Sequence, residues 1–309
     1  MKKFLSLLLA LSLALSLAAC GTGGTPASGS GDSAEPITLV VFAAASLTET
    51  LTEIAENYKT VAPDVTLRFN FDSSGKLLDQ IEEGAECDLF LSAAPKQMNA
   101  LDGSLKDDAE KNPNGQDMLL EGGRIDLLEN KVTLAVPEGN PKGIESFDRL
   151  AGLLQSGEVM LAIGNSDVPV GQYTQKIFAY YGIDENAVTD QLTYGSNVKE
   201  VTTQVSEATV DCGIIYATDA FSAGLTVVDS ATAEMCGQVI YPAAVLKDGQ
   251  TEAARAFLDY LQTEAAMSVF QSVGFRPANS DPAPSARARP GRRGTLVPAL
   301  DRRHGTMLP

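Results

Sequence analysis

Two short segments of the chain place a serine where an apolar run gives way to a helix-like pattern. They are Val41–Leu47 (VFAAASL) and Phe71–Leu77 (FDSSGKL). Such a position puts a hydroxyl and unpaired backbone N–H groups at a helix N-terminus, where an anion is favoured. Lys76 is the one cation in either segment. The chemistry indicated is therefore the binding of an anion by neutral dipoles.

The charge of the chain limits what it can bind. Its 309 residues carry a net charge of −17, and residues 20–280 alone carry −23. So acidic a body excludes nucleic-acid binding through phosphate contacts. It offers an anion no long-range attraction, so selectivity must come from oriented N–H and O–H groups in a closed pocket. The single histidine, His304, lies in the basic C-terminal stretch, which weighs against a Ser-His-Asp catalyst and a histidine metal site.

The two ends of the chain differ from its body. Residues 1–19 have two lysines and then an apolar run, which predicts a signal peptide. The run ends in Leu-Ala-Ala-Cys, which resembles the bacterial lipobox and implies cleavage before Cys20 and lipid attachment to it; the alternative is an ordinary signal peptide with a chance cysteine. Residues 20–35 are predicted to be a flexible tether, and residues 281–309 a disordered basic tail. Together these segments predict an extracytoplasmic protein anchored to the membrane by lipid.

Three further cysteines remain, Cys87, Cys212 and Cys236. A disulfide is permitted outside the cytoplasm, and Cys212 with Cys236 is the predicted pair because both flank strands in the same part of the chain. The alternative is that all three are small buried apolar residues. Their spacing fits no zinc motif.

Strand-like and helix-like runs alternate through most of the body, except in residues 102–130, which lack a regular pattern. This alternation predicts an α/β fold of two lobes, each a mostly parallel sheet flanked by helices. Residues 36–130 with 236–280 form the predicted first lobe, and residues 131–235 the second. Ligands of such folds lie at the carboxyl ends of strands, here in the cleft between the lobes.

Seven segments resemble the periplasmic molybdate-binding proteins of ABC transporters. In chain order they are Val41–Thr48, Phe71–Ser74, Asp88–Ala93, Gly164–Tyr173, Ser196–Val198, Gly213–Ala220 and Tyr241–Ala243. The resemblance runs from about residue 37 to residue 275. It implies a periplasmic-binding-protein-like fold of type II, a monomer, an ABC permease as partner and no cofactor.

The resemblance also implies a ligand set for a tetrahedral oxyanion. Its members supply hydroxyl or backbone N–H groups, and they fall on Ser46, Ser74, Val170, Val198 and Tyr216. Molybdenum would be held only as molybdate through these same residues. Each has a simpler alternative: the serines would be helix caps, Tyr216 a core aromatic, and Val170 part of an ordinary turn. Some relatives have a further serine at the position of Gly75.

The function implied is that of an extracytoplasmic substrate-binding lipoprotein that captures molybdate or tungstate and delivers it to the permease. Two alternatives keep the same site: a receptor for sulfate or phosphate, and an oxyanion sensor without transport. An enzyme with Ser46 as nucleophile is a third. It is disfavoured because the body contains no histidine base and Ser46 is not in a Gly-x-Ser-x-Gly elbow.

Overall fold

A computed structural model describes residues 36–278 of the chain. Its strands are β1 (Ile37–Ala44), β2 (Val65–Asp72), β3 (Leu89–Leu91), β4 (Leu119–Asn130), β5 (Val132–Val136), β6 (Leu161–Gly164), β7 (Leu192–Gly195), β8 (Cys212–Tyr216), β9 (Thr226–Ser230), β10 (Val239–Leu246) and β11 (Arg276–Pro277). Its α-helices are α1 (Thr48–Tyr58), α2 (Ser74–Glu82), α3 (Pro95–Asn99), α4 (Phe147–Gln155), α5 (Pro169–Tyr181), α6 (Val198–Ser206), α7 (Ala217–Ser222), α8 (Ala233–Cys236), α9 (Thr251–Leu261) and α10 (Glu264–Ser272). No helix within this range is long and apolar enough to cross a bilayer.

Four expectations fall on residues that lie outside the described range. They concern the signal peptide, lipid attachment at Cys20, the tether at residues 20–35 and the tail at residues 281–309. All four stay predictions.

The strands form two sheets, which confirms the two-lobed α/β fold. The first sheet has the order β11-β4-β10-β3-β1-β2, and the second has the order β7-β6-β8-β5-β9. The chain passes from the first sheet to the second through one residue, Lys131, between β4 and β5. It returns between β9 and β10, so that the C-terminal helices follow a strand of the first sheet.

Both sheets are mixed, so the expectation of mostly parallel sheets is wrong. In the first sheet β1 runs parallel to β2 and β3, whereas β10 runs antiparallel to β3 and β4. In the second sheet β6 runs parallel to β7 and β8, whereas β5 runs antiparallel to β8 and β9. The antiparallel pairs involve the strands next to the crossings between lobes. Strands β4 and β10 are separated along the chain by all the strands of the second sheet, so they are not joined by the strand–helix–strand unit that predicts parallel pairing.

Where strands run parallel, their carboxyl ends lie at the same edge of the sheet. In the first sheet Ala44 at the end of β1 pairs with Asp72 at the end of β2. In the second sheet Gly164 at the end of β6 pairs with Gly195 at the end of β7. Each of these strands is followed by a helix that begins at the same edge. Helix N-termini therefore collect at the carboxyl ends of the parallel strands, as in other α/β folds.

The first strand and helix form as their sequence pattern predicts. Every residue from Leu39 to Ala44 is buried, because helices cover both faces of the sheet. In α1 the buried residues Leu51, Ile54 and Tyr58 recur at helical spacing. The ring of Tyr58 lies 4.9 Å from that of Phe257 in α9, which packs the C-terminal part of the chain onto the first lobe.

The sequence pattern misses several features of the fold. Residues 102–130, expected to be irregular, end in the twelve-residue strand β4, whose burial does not alternate and which contains Gly122 at a φ of +65°. Its partner β10 is more than 100 residues away, so no local signal marks the pairing. The apolar residues after position 252 keep a helical spacing to about residue 273, yet they form two helices, because Thr263 caps α10 by accepting a hydrogen bond from Ala266 N. Strands β7 and β11 and helices α7 and α8 are further elements that the pattern does not predict.

The predicted disulfide is absent from the structure. Cys87, Cys212 and Cys236 are all free and buried. Cys212 Sγ faces the carbonyl of Met160, whereas Cys236 Sγ faces the carbonyls of Thr232 and Gly237. The two thiols occupy separate surroundings, so the alternative, three small buried residues, is the one that the structure supports.

Candidate functional site

The five residues implied as ligands line one pocket between the two lobes. Its cavity volume is about 10 Å³, close to the room that a single water molecule needs, so the site suits nothing larger than a small ion. Its lining consists of Ala44, Ala45, Ser46, Ser73, Ser74, Ala93, Val168, Pro169, Val170, Val198 and Tyr216. None of these side chains is charged. The structure thus brings the five implied residues together.

Each of the five residues stands where a parallel strand gives way to a helix. Ser46 lies in the 3-10 helix Ala45–Leu47 that links β1 to α1. Ser74 is the first residue of α2, Val198 is the first residue of α6, and Val170 is the second residue of α5. Tyr216 ends β8 and precedes α7. The first N–H groups of a helix have no partner within it, so these termini direct free donors at the pocket.

Ser74 is not the cap of its helix. That role belongs to Ser73, whose Oγ accepts a hydrogen bond of 3.3 Å from Lys76 N. Ser74 Oγ instead accepts a hydrogen bond of 2.9 Å from the backbone N–H of Ala93, and its side chain is fully buried. Because the oxygen accepts there, the Ser74 proton is available for donation elsewhere.

Ser46 is not a cap either. The residue at the start of α1 makes no side-chain capping bond, and Ser46 Oγ instead shares a hydrogen bond of 3.0 Å with Tyr241 Oη. Asn130 Nδ2 donates to Tyr241 Oη at 3.2 Å, so Tyr241 can donate its own proton to Ser46. In that arrangement the Ser46 hydroxyl proton is free to point into the pocket. The capping alternative for both serines is wrong.

Tyr216 carries an unusual hydroxyl. Its Oη is buried and forms no hydrogen bond of good geometry with residues 36–278, although the Tyr241 hydroxyl lies near it. Complete burial raises the pKa of Tyr216 well above its ordinary value, and the neighbouring Tyr241 and Tyr173 raise it further. The group therefore stays protonated and remains a donor. A buried hydroxyl without a well-formed hydrogen bond is costly, which is typical of a group that meets a ligand.

The two valines contribute backbone groups, because their side chains are buried in the core. Pro169 precedes Val170 and has no N–H, so Val170 carries the first N–H of α5. Before α6, the Asn197 side chain caps the helix by accepting from Glu200 N. The turn into α5 is tight: a Cβ atom on Gly171 would overlap the carbonyl oxygens of Gly164 and Asn165.

Sequence reasoning missed the residues that support the pocket from behind. Tyr241 and Asn130 position Ser46 through the hydrogen bonds above, and Asn130 Nδ2 also donates to Thr218 Oγ1 at 2.9 Å. Tyr241 lies in one of the segments that carry the resemblance, so the sequence did contain a signal that could have identified it. Nothing local marks Asn130, because its partners lie 88 and 111 residues away along the chain.

The pocket can donate hydrogen bonds to an anion, and its lining offers no charged group for a metal cation. Within residues 36–278 no cluster of three or more histidine, cysteine or acidic side chains could hold a metal ion. Nucleophilic catalysis by Ser46 lacks a base as well, since its hydroxyl partner is the phenol of Tyr241. The arrangement fits the binding of an oxyanion through hydroxyl and N–H donors.

Comparison with known proteins agrees with this geometry. Residues 39–276 match the family described as bacterial extracellular solute-binding protein. The putative ABC transporter substrate-binding lipoprotein YvgL of Bacillus subtilis is 34% identical over 276 residues, covering 89% of this chain and 98% of YvgL. The molybdate-binding protein ModA of Mycobacterium tuberculosis is 31% identical over 261 residues, covering 84% of this chain and 92% of ModA.

Among solved structures, the substrate binding domain of a putative molybdenum ABC transporter from Clostridium difficile matches with a TM-score of 0.57 and 29% identity. The match covers 77% of this chain and 98% of that domain. These relatives confirm the resemblance seen in the sequence and the two-lobed fold of type II, and the family is one of transport proteins rather than of enzymes. The chain belongs to the bacterial extracellular solute-binding proteins.

Proposed function

We propose that this protein is an extracytoplasmic substrate-binding lipoprotein that captures molybdate or tungstate and delivers it to an ABC permease. One observation carries the proposal: the buried hydroxyl of Tyr216, which forms no hydrogen bond of good geometry with the described residues, faces a small pocket that is lined by further donors and by no charged side chain. The names of the relatives, an ABC transporter lipoprotein and molybdate-binding proteins, support the same conclusion. We expect a monomer without a cofactor, anchored through lipid at Cys20.

The donor set suits a fully deprotonated tetrahedral dianion. A dianion that has lost its water must be met by many donors, each contributing about 1.5–3 kcal/mol. Phosphate keeps a proton near neutral pH and needs an acceptor for it, and the pocket supplies no carboxylate. Sulfate is smaller than molybdate, so it cannot reach donors on both lobes at once.

Isothermal titration with molybdate, tungstate, sulfate and phosphate tests the proposal. We expect tight one-to-one binding of the first two ions. Tight binding of sulfate or phosphate alone would contradict the proposed identity of the ligand, whereas the proposed binding site would stand. The absence of heat and of thermal stabilisation with all four ions would overturn the function.

Serine variants test the site itself. Ser46→Ala and Ser74→Ala should each weaken molybdate binding about tenfold or more, since each removes a donor to a charged ligand. Ser146→Ala is the matched control, because Ser146 only caps α4 by accepting from Arg149 N. It should lower stability by about 1 kcal/mol and leave the affinity unchanged.

A further inference from the structure

One lysine outside the pocket lining joins two carboxylates from different lobes. Lys199 Nζ lies 2.7 Å and 2.9 Å from the two carboxylate oxygens of Glu49. It also forms an ion pair of 3.2 Å with Oδ1 of Asp219. Glu49 belongs to α1 of the first lobe, whereas Lys199 and Asp219 belong to α6 and α7 of the second. We call these three residues the charge cluster.

Each member of the charge cluster closely follows a pocket residue along the chain. Glu49 comes three positions after Ser46, Asp219 comes three positions after Tyr216, and Lys199 directly follows Val198. The lysine therefore connects the first turns of three helices, each of which begins next to a donor of the pocket. A shift of any one of these helices would move its donor relative to the other two.

Buried Asp219 needs a positive charge beside its carboxylate, and Lys199 supplies it. Asp219 is buried, and the Lys199 ammonium lies 3.2 Å from one of its carboxylate oxygens. Burial raises the pKa of Asp219 to about 6, and Lys199 opposes the rise. The other groups that face Asp219 are Glu49, Tyr216 and Tyr241. Lys199 is thus its counter-charge, and a buried carboxylate without one is strongly disfavoured.

Glu49 is the member of the charge cluster that belongs to the first lobe, so its ion pair with Lys199 joins the two lobes. Its side chain is half exposed, so its loss leaves no buried charge behind. Other hydrogen bonds also cross between the lobes near the pocket: Lys76 Nζ donates to Ser196 Oγ, Gln97 Nε2 donates to Gln172 Oε1, and Asn130 Nδ2 donates to Thr218 Oγ1. Each of these is a single bond to a neutral acceptor. The pair of Lys199 with Glu49 joins opposite charges at two oxygens, which makes it the stronger tie.

We propose that Lys199 is a positioning residue for oxyanion binding: through Glu49 and Asp219 it holds the lobes in the arrangement in which Ser46, Val198 and Tyr216 face one space. This inference rests on the proposed function. Lys199 does not touch the ion. Because Glu49 and Lys199 lie on different lobes, their ion pair favours this arrangement, so its loss should let the lobes open more often and the ion leave sooner.

A double-mutant cycle on the purified full-length protein tests this role, with molybdate affinity measured by titration. Lys199→Met should weaken binding about tenfold, Glu49→Gln several-fold, and the double variant no more than Lys199→Met alone. Lys199→Arg should restore most of the affinity, because the guanidinium reaches both carboxylates. Glu49→Gln should leave the melting temperature of the ligand-free protein unchanged, which a merely structural role would not predict.

The matched control is the pair of Lys59 with Glu56, 2.6 Å apart and exposed within the first lobe. Lys59→Met and Glu56→Gln should leave the affinity unchanged. If Lys199→Met fails to fold, Glu49→Gln alone decides. Unchanged affinity in Glu49→Gln, or strictly additive losses in the cycle, would overturn the positioning role. If the unmutated protein binds none of the four oxyanions, the proposed function falls and this role falls with it.

Discussion

Gly75 and the carbonyl group of Asp167 meet across the cleft with no room for a side chain between them. A Cβ atom on Gly75 would overlap the carbonyl oxygen of Asp167 and lie 3.0 Å from its carbonyl carbon. Gly75 is the second residue of α2, next to Ser74, and Asp167 precedes α5, which carries Val170. The glycine therefore lets two donor-bearing helix termini approach each other.

Gly75→Ala should weaken molybdate binding about tenfold or more, because the added methyl group forces the lobes apart before the donors converge. The ligand-free protein should keep or gain stability, since alanine favours a helix by about 0.5–1 kcal/mol over glycine. Titration calorimetry and thermal unfolding of the same samples check both parts. The site thus gives Gly75 a role other than that of a missing third serine.

Gly152→Ala is the control for this change. Gly152 lies within α4, and a Cβ atom there would meet nothing within 4 Å. Its affinity should equal that of the unmutated protein. Equal affinities for Gly75→Ala and Gly152→Ala would show that the approach of Gly75 to Asp167 plays no part in binding.

Tyr216→Phe separates binding from stability. In the ligand-free protein the hydroxyl forms no hydrogen bond of good geometry with the described residues, so its removal should leave the free energy of unfolding unchanged or raise it. Molybdate affinity should fall about 10- to 100-fold, the loss expected for one hydrogen bond to a charged ligand. Urea unfolding and calorimetric titration measure the two quantities.

Tyr58→Phe provides the comparison, because Tyr58 is also buried but packs against Phe257 and Tyr260 away from the pocket. It should bind molybdate normally. A loss of stability in Tyr216→Phe without a loss of affinity would mean that the hydroxyl serves the fold rather than the ligand.

The sequence predicts the parts of this fold whose signals are local. The buried run of β1 and the helical spacing of α1 are visible in single segments, and so are the serines at the ends of β1 and β2. The direction of β10 is not visible, because antiparallel pairing with β4 joins residues more than 100 positions apart. For the same reason the alternation of strands and helices overestimated the parallel character of both sheets.

The site was predictable only in part. The residues themselves indicate anion binding at Ser46 and Ser74, whereas Val170, Val198 and Tyr216 depend on the resemblance to known proteins. The supporting contacts of Asn130 and Lys199 could not be predicted, since each joins residues that only the packing of two lobes brings together. A serine at a helix start also looks like a cap, and only the position of Ser73 shows that Ser74 is not one.

The three cysteines should behave as buried free thiols. Burial raises the pKa of Cys87 to about 12, and it raises the pKa values of Cys212 and Cys236 too. Because the thiolate is the reactive form, all three should react slowly with a thiol reagent in the folded protein and rapidly after unfolding. Mass spectrometry of non-reduced peptides should find each cysteine alone. A peptide that joins Cys212 to Cys236 would contradict the structure.

Asp219→Asn should change how stability depends on pH. Burial raises the pKa of Asp219 from 3.8 to about 6 in the folded protein, whereas the unfolded chain has the ordinary value. The folded state therefore binds a proton more tightly than the unfolded state. The stability that this carboxyl contributes is fully present below pH 4 and is lost as the pH rises through about 6.

The asparagine variant carries no such group, so subtracting its free energy of unfolding isolates this contribution. The free energy of unfolding of the unmutated protein, minus that of Asp219→Asn, should fall by about 2–3 kcal/mol between pH 4 and pH 7.5. One pKa unit corresponds to 1.36 kcal/mol. Urea titrations at four pH values across this range measure it. Asp190→Asn, at an exposed position, reports the effect of losing a surface carboxyl alone. A difference that stays flat or grows with pH would contradict the raised pKa and show that Asp219 is ionised at little cost in the folded protein.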